Sequence, residues 1–281
     1  MTNALQYGTA IFEGIRGYVK KEENSVYLFR LHDHYERLLS SINILGCKFD
    51  YTKEELVNLT LELARKNNPE TDVYFRPFAY AGNLDASPSL ANTKFSFSLY
   101  MIPMGEYLSI NNGLNLMVSS WRRISDNAIP SRAKISGSYA NSSLAKKEAI
   151  DNGYDDAILL NDAGNVSEAS VANLFIVRNG KLITPAADDD ILEGITRRTI
   201  LQLAQDLGIE TEERTINRTE LYIASEVFIC GTGCQVAWVK SIDKRQIGNG
   251  EKGEISQKLQ DLFFKVVRAE EEKYKYWCTK I

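Results

Sequence analysis

Two turn-forming stretches, Asn161-Asp162-Ala163-Gly164 and Asn179-Gly180, constrain this chain most. They separate short apolar runs at 156–160, 172–177 and 181–184. An Asn-Gly pair accepts left-handed backbone at both central positions, so it joins neighbouring strands tightly. Strands joined this way run antiparallel, because a parallel pair needs a long crossover. The 156–184 region therefore reads as hairpin-built antiparallel sheet.

The rest of the chain alternates strands with helices. Residues 25–29 alternate as a strand, and 31–45 then turns helical, with Tyr35, Leu38, Leu39, Ile42 and Leu45 at three- and four-residue steps. Arg37 lies beside that apolar stripe, where a long charged side chain ordinarily reaches for solvent. Thr52 and Glu55 form a capping-box pattern for a second helix, which Asn67-Asn68-Pro69 ends. Residues 72–81 read as a strand with Tyr74, Arg76 and Phe78 on one face. An arginine between two aromatics either reaches solvent at a rim or lines a polar pocket. A further strand spans 94–102, and turn residues from Pro103 to Gly113 suggest a linker. The expected division is a small N-terminal domain, 1–104, a linker, 105–113, and a large C-terminal domain, 114–281. The second part holds a strand at 114–121, helices at 139–151 and 195–207, and strands at 227–230 and 235–241. A helix over 254–271 closes it. The fold class is α+β: two mixed domains with largely antiparallel sheets.

Composition excludes several functions. The chain has 281 residues, 44% of them hydrophobic and 25% charged, as in globular proteins. A net charge of -4 without a basic stripe argues against nucleic acid as a partner. No apolar run is long enough to span a bilayer, and the N-terminus lacks the pattern of a signal peptide. Four cysteines make no disulfide scaffold, so a cytoplasmic location is expected. Only His32 and His34 occur, which excludes a three-histidine metal site. His32-Asp33-His34 reads better as a helix start than as a metal fragment. Cys230 and Cys234 have no second cysteine pair with which to bind zinc. No metal is expected.

Three features favour an anion such as phosphate. Gly194-Ile195-Thr196 opens a helix, whose first N–H groups and dipole attract negative charge. Gly231-Thr232-Gly233 ends a strand with small residues that permit close backbone approach. Arg37 adds a charge-assisted donor. Each feature is common by itself.

Longer stretches carry a resemblance. They are LQYGTAIFEGIRGY, VYLFRLHDHYERL, VYFRP, SSWRRISDNAIPSRAKISGSYANSSLAKKEAIDNGYDDAILLN, SEASVANLF, EGITRRTI, EVFICGTGCQV and FFKVVRAEEEKYKYW, in order along nearly the whole chain. The chain resembles the branched-chain-amino-acid aminotransferases, class IV enzymes dependent on pyridoxal 5'-phosphate with the D-amino-acid-transaminase-like fold. The resemblance implies that Lys134 forms the Schiff base and moves the substrate proton. It implies that Glu168 pairs with the pyridine nitrogen, that Tyr139 lies beside the cofactor's phenolic oxygen, and that Arg37, Ile195, Thr196 and Thr232 hold its phosphate. Tyr74, Thr232 and Gly233 match the groups for the substrate carboxylate. Tyr7, Phe12 and Met104 match an apolar side-chain pocket, with Arg16, Arg76 and Tyr107 at its rim. These last three are candidates for the second carboxylate of glutamate. The resemblance also implies leucine, isoleucine, valine and 2-oxoglutarate as substrates, and a homodimer.

The chain departs from the family text in three places. Family members usually begin with a further strand and turn ahead of LQYG, and the sequence as read is expected to lack them. The usual E-G-x-G-E-N reads Glu168-Ala169-Ser170-Val171-Ala172-Asn173, which puts the local backbone in question. Cys234-Gln235-Val236-Ala237 keeps one cysteine of a redox pair seen in some relatives, so no such switch is expected. The alternatives are a D-amino-acid transaminase, an aminodeoxychorismate lyase, or a catalytically inactive homologue. Residues 82–93 lack the Arg-x-His text of D-specific relatives.

Overall fold

The strand Val73–Ala81 organises the first part of the computed structural model, which describes residues 2–105 and 112–281. Its odd-numbered residues are buried, while Arg76, Phe78 and Tyr80 are half-buried, as pleat alternation requires. Phe95–Pro103 runs antiparallel along one edge, from Val73↔Pro103 to Ala81↔Phe95. Two short strands share the other edge: Ile15–Lys20 through Ile15↔Phe75 and Ala10–Phe12 through Phe12↔Phe78. Ser25–Phe29 and Cys278–Lys280 complete this six-stranded sheet, all of it antiparallel.

The chain divides into two units. The first comprises Met1–Gly105, Ala133–Tyr139 and Lys265–Ile281. Its helix Leu31–Ile44 buries Tyr35, Leu38 and Ile42. The helix Lys53–Asn67 buries Leu56, Val57, Thr60 and Ala64, and the Tyr35 and Thr60 hydroxyls meet in a hydrogen bond. Both halves of the Thr52–Glu55 capping box are formed.

The closing helix, Glu254–Val267, stops short of the 271 expected from sequence. Ala269 turns into the left-handed region at φ 55°, and the Glu270 N–H returns to the Lys265 carbonyl at 2.9 Å. Glu270, Glu271 and Glu272 would place three adjacent negative charges at the unfavourable end of the helix dipole. The tail instead forms a 3-10 turn, Glu272–Trp277, and the edge strand Cys278–Lys280.

The second unit, Glu106–Arg132 and Ala140–Phe264, carries a nine-stranded sheet. Its strands run in the order Thr211–Glu213, Lys181–Thr184, Asn173–Arg178, Glu226–Gly231, Gln235–Ile242, Leu114–Arg122, Asp156–Leu160 and Val166–Ala169, with Arg245–Gln246 beside Gln235–Ile242. Leu114–Arg122 lies between two parallel neighbours, and Thr211–Glu213 is parallel to Lys181–Thr184. The other pairs are antiparallel, including the Asn179-Gly180 hairpin. Leu116, Val118, Ile158, Val166, Leu174, Ile176, Ile229 and Ala237 belong to its core. No helix among the described residues is long and apolar enough to cross a membrane.

Candidate active site

In the first unit, backbone pairing sets Lys134 in place. The Phe12 N–H donates to the Lys134 carbonyl at 3.1 Å, and Ile11 bridges to Ile135. The Lys134 N–H donates to Ser41 Oγ at 3.3 Å. Further along the loop, the Gly137 N–H donates to the Gly8 carbonyl at 3.0 Å. That approach requires glycine: Gly8 has φ +70°, and a Cβ on it would lie 2.7 Å from Gly137 Cα. The Lys134 amine then donates to the Tyr139 hydroxyl and sits 4.9 Å from the centre of the Phe12 ring. Phe12 and Tyr139 pack at 4.7 Å between centroids.

Arg76 joins the same group. Its guanidinium lies 4.7 Å from the Phe12 ring centre and 5.2 Å from that of Tyr74, and Nη2 donates to Tyr74 Oη at 3.1 Å. Its Nε is buried with no hydrogen-bond partner among the described residues. Arg76 is half-buried among the rings of Phe12, Tyr74 and Phe78. Gly14 makes room for Tyr74, because a Cβ there would fall 1.8 Å from Tyr74 Oη.

Arg37 is not a solvated surface side chain. Its Nε and Nη2 donate to Oε1 and Oε2 of Glu13 at 2.6 and 2.9 Å, a bidentate pair. Glu13 is fully buried and also accepts from the Gly14 N–H at 3.2 Å and from His34 Nδ1 at 2.8 Å. Burial alone would raise the Glu13 carboxyl, but the Arg37 charge and the His34 hydrogen bond outweigh it and hold the group well below the usual carboxylate range. Burial pushes His34 down against the pull of Glu13, so its ring is neutral near pH 7. An ionised Glu13 can only accept, which assigns the ring proton to Nδ1. His34, half of the metal fragment weighed from sequence, is thus a partner of Glu13.

The remaining candidates of this unit have surroundings of their own. Arg16 is buried, and its Nη2 donates to the carbonyls of Met104, at 2.9 Å, and Gly105. The Met104 N–H donates to the Asp72 carbonyl at 2.9 Å. Tyr7 ends the helix Asn3–Tyr7 and is exposed. Tyr107 lies outside the described residues.

In the second unit, Glu168 is buried rather than sitting on an exposed hairpin. Arg123 Nη2 donates to its Oε1 at 2.9 Å. Its Oε2 accepts from Asn173 Nδ2 at 3.0 Å and from the Leu192 N–H at 3.1 Å. The altered text after Glu168 is accommodated: none of residues 168–173 has a positive φ, so no glycine is demanded there. Ser170 Oγ instead donates to the buried Asp156. Asn173 also abuts Gly194, where a Cβ would fall 1.9 Å from its Oδ1. Gly194 starts the helix Ile195–Asp206 without a side-chain cap, and Ile195 and Thr196 are buried in its first turn. Thr232 and Gly233 form the bend between Glu226–Gly231 and Gln235–Ile242.

Each unit therefore offers a donor set of its own. The first presents an amine held by a phenol, beside two aromatic rings and an arginine with an unsatisfied N–H. That set suits condensation with an aldehyde and capture of a carboxylate. The second presents a buried carboxylate, suited to a ring N–H, and a helix start without a side-chain cap, suited to a phosphate. The residues fit pyridoxal phosphate. Glu13, Arg123 and Asn173 escaped the reading from sequence as site residues, and His34 was weighed there only as part of a metal fragment. The one available signal was a charged residue inside an apolar run, as Glu13 is in Ile11-Phe12-Glu13-Gly14-Ile15.

A lysine amine held by a tyrosine hydroxyl on a short loop suits chemistry that passes through condensation with an aldehyde. The amino-transferase class IV family matches residues 10–242, and the chain belongs to that family. It is similar to a probable branched-chain-amino-acid aminotransferase of Aquifex aeolicus (strain VF5), at 48% identity over 100% of this chain and 91% of the relative. Among solved structures it is similar to the branched-chain aminotransferase of the thermophilic archaeon Thermoproteus uzoniensis with norvaline. That match has a TM-score of 0.96 and 43% identity, covering 99% of this chain and 92% of the other. The branched-chain amino acid aminotransferase of Thermobaculum terrenum, in its PLP-bound holo form, matches with a TM-score of 0.93 and 40% identity over 98% of this chain and 90% of that one. These relatives carry the branched-chain name, not that of a D-amino-acid transaminase or a lyase.

Proposed function

We propose that this chain is a pyridoxal-phosphate-dependent transaminase that moves an amino group between leucine, isoleucine or valine and 2-oxoglutarate. The observation that carries the reading is the Lys134 amine, held by the Tyr139 hydroxyl over the Phe12 ring in a class IV chain. Pyridoxal phosphate, when bound, supplies an electron-withdrawing ring that makes the substrate Cα proton removable. Lys134 anchors the cofactor and moves that proton, and Tyr139 orients the amine. Glu168, fixed by Arg123 and Asn173, is the partner for the pyridine nitrogen. Arg37, the first-turn groups of Ile195 and Thr196, and Thr232 bind the phosphate. Tyr74, Thr232 and Gly233 take the substrate carboxylate. Phe12, Tyr7 and Met104 accept the branched side chain, and Arg76, Arg16 and Tyr107 answer the second carboxylate of glutamate.

An apolar pocket separates substrates that differ by one methylene by only about 1–3 kcal/mol, so all three branched amino acids are expected to react. The relatives' names and the family support this reading, and a cytoplasmic homodimer belongs to it.

The test is borohydride reduction of the protein with pyridoxal phosphate, followed by peptide mass mapping and assays with L-leucine and D-alanine. A pyridoxyl mass on the Lys134 peptide, with turnover of L-leucine only, is expected. Label on another lysine, or turnover of D-alanine only, overturns the proposal.

A further inference from the structure

We propose that Glu13 is a positioning residue that aims Arg37 at the cofactor phosphate; this rests on the reading of Arg37 as a phosphate ligand. The Glu13 carboxylate has no solvent exposure, and a buried carboxylate persists only when partnered. Arg37 supplies that partner along its Nε–Nη2 edge, at 2.6 and 2.9 Å. A planar guanidinium clamped along one edge has its plane, and hence the direction of Nη1, already set.

Glu13 is itself held. The Gly14 N–H at 3.2 Å and His34 Nδ1 at 2.8 Å occupy further acceptor sites on Oε2, so the carboxylate does not rotate with the arginine. With His34 neutral, Glu13 and Arg37 sum to no net charge. The arginine therefore gains a fixed direction without a second buried cation beside it. The neighbours of Glu13 in the chain matter too. Phe12 packs on Tyr139 and lies under the Lys134 amine, and Gly14 gives Tyr74 its space. One short segment, Phe12-Glu13-Gly14, thus sets the arginine, the ring beneath the amine and the tyrosine proposed for the substrate carboxylate.

The experiment measures affinity for pyridoxal phosphate and for pyridoxal, by equilibrium dialysis, in wild type, Glu13→Gln, Arg37→Ala and the double variant. The ratio of the two affinities isolates the phosphate and needs no turnover. Glu13→Gln places amide donors against the donors of Arg37 and His34. It is expected to lower the ratio about 10-fold, the worth of one charge-assisted hydrogen bond. In the Arg37→Ala background it is expected to add nothing. Arg37→Lys, which keeps the charge and leaves Glu13 in place but cannot be clamped by two bonds, is expected to lose most of the ratio as well. That variant serves if Glu13→Gln does not fold.

Equal weakening of both ligands by Glu13→Gln, the same loss with and without Arg37, or a full ratio in Arg37→Lys would each overturn the proposal. A wild-type ratio in Arg37→Ala would remove the phosphate role of Arg37, and this inference with it, while leaving the lysine mapping untouched.

Discussion

Tyr139 and Lys134 illustrate how much one hydroxyl can decide. The phenol accepts the hydrogen bond of the amine, and its ring packs against Phe12. Tyr139→Phe removes the acceptor and keeps the ring, so folding is expected to survive. Turnover of L-leucine is expected to fall about 10²-fold, in the range of a displaced acid–base group, with little change in the melting temperature. Single-turnover kinetics beside a thermal melt separates the two effects. His34 governs a different observable. Its folded ring stays neutral where the unfolded chain begins to take up a proton, so stability falls as pH drops below about 6.5. Glu13 acts lower. Its contribution is complete above about pH 4.3, the unfolded value, and drains as pH falls toward the depressed folded one. His34→Asn keeps a donor near the Nδ1 position but removes the titration. Between pH 7 and 5.5 the wild type is expected to lose more stability than this variant, with a slope of at most about 1.4 kcal/mol per pH unit. Urea unfolding at the two pH values checks it.

At the scale of elements, the loop that carries Lys134 depends on one close backbone approach. A Gly8→Ala change brings a Cβ to 2.7 Å from Gly137 Cα at a positive φ. The expected cost is about 1–3 kcal/mol of stability, together with weaker pyridoxyl labelling of Lys134 by borohydride as the loop is displaced. Unchanged labelling would mean that the Phe12 and Ser41 bonds suffice to seat the lysine. Many elements were legible from the residues. The periodicity at 31–45 matches Leu31–Ile44, the Thr52–Glu55 pattern forms both halves of its box, and the Asn179-Gly180 hairpin joins the strands expected. Ala10–Phe12 and Ile15–Lys20 were not legible. Both are largely buried, Glu13 between them is a buried charge, and no alternation survives to reveal a strand. Within the candidate site, Lys134 and Glu168 came from motif text. Their supports, Ser41 and Arg123, act through contacts distant in sequence that no local period encodes.

At the scale of the molecule, the first unit is assembled from three separated stretches, 1–105, 133–139 and 265–281. Such contacts cannot form until nearly the whole chain is available, and they place the last residues in a structural role. Trp277 shows why. Its ring lies 3.8 Å from the Arg30 guanidinium and 4.8 Å from Tyr274, and its carbonyl accepts from the Arg30 N–H at 2.6 Å. Arg30 sits in the left-handed region at φ 50°, where the strand Ser25–Phe29 hands over to the helix Leu31–Ile44. The tail therefore holds a strained junction and covers a sheet edge through Cys278↔Phe29 and Lys280↔Tyr27. A chain ending at Tyr276 loses both. Deleting a buried tryptophan alone costs about 3–5 kcal/mol, so the truncated protein is expected to melt several degrees lower and to aggregate more readily. Hydrogen exchange locates the effect. Protection should fall in Ser25–Phe29 and at the start of Leu31–Ile44 and persist in Asn173–Arg178, which belongs to the other unit. Equal loss of protection in both strands would show instead that the two units unfold as one cooperative body.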